Sequence, residues 1–162
     1  MKTHDHFPMF IDTKDKNVIV IGGGNIAERR LQTLSHFSFN VTVISDQITE
    51  GLRSLCDGQR IRHIDCAFDP ENMGDFADLF TKAFMVLACT DNRETNAQIG
   101  AICKERGIPV NVCDAQDEST FWFPAFASND ELVMGLVGDG TSHETVKKAA
   151  SELRRIIEGR LY

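Results

Sequence analysis

Gly22-Gly23-Gly24-Asn25-Ile26-Ala27 follows directly on the β-branched run Val18-Ile19-Val20-Ile21. Residue types in that order suit the cradling of a diphosphate, although a glycine triplet by itself also occurs in loops that bind nothing. An unbroken apolar run fits a parallel strand buried on both faces. Gly22 would then make the tight turn out of that strand, Gly24 would let an anion approach the main chain, and Ala27 would stand where a helix packs closely on the strand. The N–H groups of Asn25 and Ile26 open the helix without intrahelical acceptors, and the peptide dipoles favour negative charge there.

A second group of polar residues falls just past other apolar runs. Val41-Thr42-Val43-Ile44 leads into Ser45 and Asp46, close to where a dinucleotide-binding fold sets an acid against the adenosine ribose hydroxyls. Neither Arg nor Lys lies between Val41 and Thr49 to accept a 2′-phosphate, which favours NAD over NADP. The alternative for Asp46 is a solvated turn. Thr90, Asp91 and Asp114 also fall at strand ends, where a crevice would open; Thr90 and Asp91 are equally suited to cap a helix.

These residues need a scaffold of alternating strands and helices, and the hydrophobic pattern supplies one from Asn17 to Val112. Ala27, Leu31 and Leu34 mark a first helix, and 50–55 a weak second one. Ile61–Ile64 alternates as a strand, Asp69-Pro70 opens a short helical segment, and 84–89 reads as a fourth strand. Ile99, Gly100 and Cys103 face a helix that stops at Gly107, and 110–112 forms a fifth strand. Repeated strand–helix–strand units imply parallel pairing with right-handed crossovers. After Asp114 the pattern changes. The runs 121–127 and 132–137, joined by Ser128-Asn129-Asp130-Glu131, read as a hairpin, and Thr141-Ser142-His143-Glu144 reads as a capping box before a helix with Val146, Ala149, Ala150, Leu153 and Ile157 on one stripe. The expected fold is α/β: a Rossmann-type parallel sheet in a nucleotide-binding domain over 1–113, then a small β-hairpin plus helix over 114–162 that serves dimerisation and the substrate site. A lone hairpin is marginal in water, so this aromatic-rich tail is expected to bury itself against a second subunit.

Composition narrows the function. A formal net charge of −7 opposes general nucleic-acid affinity. No apolar run approaches the ~18 residues of a membrane span, and no signal peptide is visible, so a cytoplasmic protein is expected. Five cysteines without a C-x-x-C pair suggest neither a disulfide framework nor a zinc site, and they read as small buried hydrophobes in a reducing compartment. His63 reads as a structural strand residue.

Phe7-Pro8-Met9-Phe10-Ile11-Asp12, the segment from Gly22 to Glu28-Arg29-Arg30, Ala88-Cys89-Thr90-Asp91-Asn92, Asn96, Val110-Asn111-Val112-Cys113-Asp114 and Phe121-Trp122-Phe123-Pro124-Ala125 together span most of the chain. In that order they resemble the precorrin-2 dehydrogenase family, the N-terminal module of siroheme synthase. The resemblance implies NAD-dependent oxidation of precorrin-2 to sirohydrochlorin on the route to siroheme, and a homodimer formed through the region after the nucleotide-binding domain. It implies Asp114 as the catalytic aspartate. Chemistry reaches the same residue: hydride removal leaves a cation that must lose a proton, and a carboxylate facing the crevice can accept it or stabilise the charge. The alternative is that Asp114 only closes an Asx turn.

Asn96, one helical turn beyond Thr90 and Asp91, extends a polar wall toward the substrate. Gly140, Thr141 and Ser142 occupy the turn where the family anchors tetrapyrrole carboxylates. That turn usually ends in Ser-Pro, whereas this chain reads Gly138-Asp139-Gly140-Thr141-Ser142-His143, and Asp139 would repel a carboxylate at close range. A polyanionic substrate needs local basic surface, for which Arg29, Arg30, Arg93, Lys147, Lys148, Arg154 and Arg155 are candidates. Because the sequence ends at Tyr162, soon after its last helix, dehydrogenation without metal insertion is expected, and no metal ligands are assigned. The rival reading is an NAD-sensing regulatory domain, in which Asp114 is dispensable. A short-chain dehydrogenase would need a Tyr-x-x-x-Lys pair, and the one tyrosine is Tyr162. A zinc-dependent dehydrogenase would need a Cys and His cluster that the sequence lacks, and a methyltransferase on a related fold is a further alternative.

Overall fold

The computed structural model describes residues 4–58 and 61–157; Tyr162 lies outside them. The chain divides into two compact units, one formed by Thr13–Phe121 and the other by the segment through Asp12 together with the chain from Trp122 onward.

The larger unit is built on a five-stranded parallel sheet. Its strands are β1 (Asn17–Ile21), β2 (Asn40–Ile44), β3 (Ile61–Ile64), β4 (Ala83–Ala88) and β5 (Val110–Val112), in the order β3-β2-β1-β4-β5. β1 is central because Val18–Ile21 is apolar on both faces and 1% exposed or less. Side chains alternate across a strand. Ile19 and Ile21 accordingly join Ile44, Val86, Ala88, Val110 and Val112 in one core. The helices on that side bring Phe76, Phe80, Ile99 and Cys103, from the 3₁₀ turn Pro70–Phe76, α3 (Ala77–Thr81) and α4 (Arg93–Glu105). The opposite side is covered by α1 (Asn25–Leu34), whose Ala27, Leu31 and Leu34 are buried, with α2 (Glu50–Gly58) packed beside it.

Local chemistry sets the helix ends. Asp69 accepts from Glu71 N at 2.9 Å and starts the 3₁₀ turn, and Gly107, at φ +68°, ends α4 in the left-handed conformation its sequence suggests. Thr49 Oγ1 accepts from Leu52 N at 3.1 Å while donating to Glu28, which starts α2, and α2 runs on to Gly58 rather than stopping near residue 55. Past residue 113 the chain stays with the sheet, because Val110 N and Val112 N donate to Thr120 Oγ1 and Ser119 Oγ at 2.8 and 2.9 Å.

In the smaller unit, β6 (Ala125–Ser128) and β7 (Val133–Leu136) pair antiparallel, and α5 (His143–Ile157) packs on β6. Asn129 Oδ1 accepts from Glu131 N and Leu132 N, forming the hairpin turn. The helix cap is Ser142, accepting from Thr145 N at 3.2 Å. Thr141, the first residue of the expected capping box, is drawn instead to Asp139 Oδ1 through both its N–H and its hydroxyl. Val146, Ala150, Leu153 and Ile157 form the inward stripe of α5, whereas Ala149 is exposed. The N-terminal segment joins this unit through His6, whose ring lies 3.7 Å from that of Trp122, centroid to centroid. Among the described residues no helix is long and apolar enough to cross a membrane.

Candidate functional site

Strand order reverses between β1 and β4, and a parallel sheet opens a crevice at the carboxyl ends of its strands at such a point. Along that edge stand Gly22 after β1, Ser45 and Asp46 after β2, Thr90 and Asp91 after β4, and Asp114 after β5. The register carries the match of Ala88 with Val112 onward, with Cys113 N donating to Ala88 O at 3.0 Å. Residues separated by up to 92 positions in sequence thus share one rim.

The three glycines after β1 divide into two kinds. Gly22 has φ +108°, and a Cβ there would collide with the Cys89 carbonyl and Thr90 N. At Gly23 a Cβ would run into the Gln47 carbonyl and come within 2.8 Å of Ile48 Cγ2. The fold itself therefore demands both. Gly24 is different: a Cβ there would meet nothing within 4 Å. Its backbone, φ −81° and ψ −171°, is open to any residue as it enters α1. Packing gives no reason for glycine at 24, whereas an anion approaching the first N–H groups of α1 does. Asn25 and Ile26 are both exposed at this helix start, and Ala27 is fully buried.

At β2 the two expected ribose residues differ. Ser45 is buried, its hydroxyl donates to Gln47 O at 2.7 Å, and its carbonyl lies 2.8 Å from His63 Nε2. His63 is thus structural, tying β3 to the end of β2. Asp46 is exposed.

Between β4 and β5 the geometry depends on Asn96, which is 0% exposed. Its Oδ1 accepts from Thr90 N at 3.1 Å and from Thr90 Oγ1 at 2.7 Å, and its Nδ2 donates to Thr90 O and to Asp114 Oδ2, both at 3.0 Å. An amide offers two donors and two acceptor sites, so these bonds occupy it fully. The other carboxylate oxygen, Asp114 Oδ1, lies 3.7 Å from Arg93 Nη1, and Arg93 Nη2 pairs with Glu118. Asp114 keeps 34% of its side chain accessible. The cap of α4 is neither Thr90 nor Asp91 but Asn92, which accepts from Thr95 N at 3.0 Å. Thr90 lies two residues ahead of that cap, where its Oγ1 accepts from Asn92 N at 3.2 Å and reaches Asn96 Oδ1 rather than an N–H of the first helical turn. Asp91 is exposed in the same loop.

Beneath this rim, Cys89 Sγ and Cys113 Sγ are 2.8 Å apart. The hydrogen bond between them and burial push the Cys89 thiol well above its ordinary value. The same bond, aided by the Arg30 guanidinium and opposed by burial, brings Cys113 down to about 7.

In the smaller unit, Gly140 has φ +84°, and Thr141 and Ser142 are exposed but bonded locally to Asp139 and Thr145. Several of the basic candidates are already paired: Arg93 with Asp114 and Glu118, Lys148 with Glu144, Arg155 with Glu152, while Arg154 Nε donates to Phe126 O. Arg29 and Lys147 are exposed. Among the described residues no cluster of three or more His, Cys, Asp or Glu is arranged to hold a metal ion.

Residues 9–125 match a family described as "Putative NAD(P)-binding". The chain is 33% identical over 154 residues to the probable multifunctional siroheme biosynthesis protein HemA of Ruminiclostridium josui, covering 94% of this chain and 28% of that protein. It is 31% identical over 151 residues to a siroheme synthase of Methylobacillus flagellatus, covering 93% of this chain and 31% of that one. The chain thus spans less than a third of the length of these curated relatives. SirC, a precorrin-2 dehydrogenase, shares the fold with a TM-score of 0.73 at 20% identity, over 91% of this chain and 69% of that one.

Proposed function

From the premise that the chain belongs to this NAD(P)-binding family, we propose that it catalyses the NAD-dependent dehydrogenation of precorrin-2 to sirohydrochlorin in siroheme formation. The observation that carries the reading is the buried Asn96 amide, which fixes Asp114 at the carboxyl edge of the sheet beside Thr90. The names of the relatives and of the structural neighbour point to the same reaction.

The residues present fit the cofactor. Gly24 faces open space at the start of α1, where the N–H groups of Asn25 and Ile26 suit a diphosphate, and the exposed Asp46 suits a pair of ribose hydroxyls. Ser45, its hydroxyl turned inward, shapes the turn that presents Asp46. NAD supplies the hydride acceptor. The chain supplies the rest: Asp114 stabilises positive charge developing on the tetrapyrrole and takes the proton that leaves as the bond order is redistributed. Asn96 is a positioning residue that acts through Asp114 and Thr90 rather than on the substrate, since its amide is fully engaged. Asp91 and Thr90 border the carboxyl edge of the sheet; in the smaller unit Thr141 commits both its N–H and its hydroxyl to Asp139, which leaves Gly140 and Ser142 as the candidates of that turn for a substrate carboxylate.

The protein acts as a homodimer through its smaller unit. Phe7, Met9, Phe10, Leu132, Val133, Val137 and Ile156 are all large, apolar and exposed there, as suits a surface covered by a second copy. Purified protein mixed with NAD and precorrin-2 tests the reading: sirohydrochlorin appearing with equimolar NADH supports it. Tight NAD binding with no turnover would replace it with a sensing role.

A further inference from the structure

We propose that Cys89 and Cys113 form a thiol–disulfide exchange site, which low-molecular-weight disulfides oxidise to a reversible bridge across the ends of β4 and β5. The inference does not depend on the reaction assigned to Asp114.

Three features of the fold carry it. The two cysteines directly follow the matched residues Ala88 and Val112 at the ends of neighbouring parallel strands, and Cys113 N donates to Ala88 O at 3.0 Å. Such strands lie about 4.8 Å apart, within the ~4.4–6.8 Å that a disulfide can span. The sulfurs already stand 2.8 Å apart, so a bond of about 2.0 Å requires only a small closing movement. The pair is also asymmetric in access. Cys89 is 5% exposed, whereas Cys113 is only partly buried.

The electrostatic surroundings favour one sulfur as nucleophile. Cys113 faces the Cys89 thiol from β4 and the Arg30 guanidinium from α1, with the neighbouring Asp114 carboxylate acting in the opposite sense. The balance lowers Cys113 to about 7, whereas burial raises Cys103 to about 12 and also raises Cys56. Thiolate character is what makes a cysteine attack a disulfide.

The exchange has two steps. The Cys113 thiolate attacks one sulfur of the small disulfide, forming a mixed disulfide and releasing one small thiolate. That thiolate takes the Cys89 proton as Cys89 sulfur attacks Cys113 sulfur, forming the internal bridge and expelling the second thiolate. The protein pair loses two electrons and the small disulfide gains them.

Glutathione disulfide is the probe. After incubation, the protein is denatured in N-ethylmaleimide without reductant and mapped by peptide mass spectrometry. The expected map shows Cys89 and Cys113 in one cross-linked peptide pair, lighter by two hydrogens and released by dithiothreitol, with Cys56, Cys66 and Cys103 alkylated. The Cys89→Ser variant is expected to stop at a stable glutathione adduct on Cys113. Alkylation of both residues in the wild type, a persistent adduct on Cys113 without cross-linking, or a cross-link through another cysteine each overturns the proposal. If Cys89→Ser does not fold, the wild-type map decides alone.

Discussion

Asn96 Nδ2 donates at 3.0 Å both to the carbonyl of Thr90 and to Oδ2 of Asp114. One buried amide therefore sets the conformation of the loop after β4 and the direction of the carboxylate after β5. Replacing it with alanine leaves the Thr90 N–H and carbonyl without their partners, at a cost of about 1–3 kcal/mol in stability. Asn96→Ala is expected to lower the thermal midpoint and kcat together, while KM for NAD changes little. Asn96→Asp keeps the acceptor for Thr90 but sets a carboxylate against Asp114, so it should lower kcat further than its effect on stability explains.

The glycines after β1 make a graded prediction. Gly22→Ala and Gly23→Ala should each destabilise the fold by about 1–3 kcal/mol, because their Cβ atoms would press on backbone that cannot withdraw. Gly24→Val should leave the melting temperature nearly unchanged and weaken NAD binding about tenfold or more, equivalent to about 1.4 kcal/mol. Calorimetric titration with NAD alongside thermal denaturation separates the two classes. A Gly24→Val variant with wild-type affinity would remove the diphosphate from the start of α1.

Much of this arrangement was legible in the sequence, and the reasons are physical. β1 announces itself because a fully apolar β-branched run has few alternatives, whereas in β3 the two isoleucines stand three positions apart and fall on opposite faces, so that strand is set by its pairing with β2 rather than by alternation. Gly107 as the stop of α4 follows from its freedom to adopt a positive φ. What the sequence hid were partners brought together by strand order. Asn96 meets Asp114 across 18 positions, and Cys89 meets Cys113 across 24. Neither spacing has a local signature. The cap of α4 falls on Asn92 because the helix starts at Arg93, one or two residues later than a cap at Asp91 or Thr90 requires. The approach of His6 to Trp122 likewise joins residues 116 positions apart.

Asp46 should govern cofactor choice. It is exposed directly after the end of β2, with no neighbouring cation in the turn. Asp46→Ala should weaken NAD binding, and Asp46→Arg should shift preference toward NADP, where a guanidinium meets the 2′-phosphate. Ratios of kcat/KM for the two cofactors measure this, and an unchanged ratio in both variants would return Asp46 to the role of a solvated turn residue.

The exposed apolar surface of the smaller unit predicts its own test. Leu132 and Val133 are 53% and 47% exposed. If two copies meet through this surface as proposed, Leu132→Glu with Val133→Lys would bring charges into their contact, where unpaired charge is disfavoured. Sedimentation velocity should show the wild type as a dimer and the double variant shifted to monomer at the same concentration. A wild-type monomer would locate the function of that surface elsewhere.

The most direct test compares the wild type with Asp114→Asn, a change that keeps shape and a hydrogen-bonding group while removing the negative charge. NAD affinity by titration should be unchanged, and the rate of sirohydrochlorin formation should fall by about 10²–10³-fold, the scale expected when a charge-stabilising group is lost. Turnover by Asp114→Asn at the wild-type rate, with NAD and precorrin-2 both saturating, would contradict that role of Asp114.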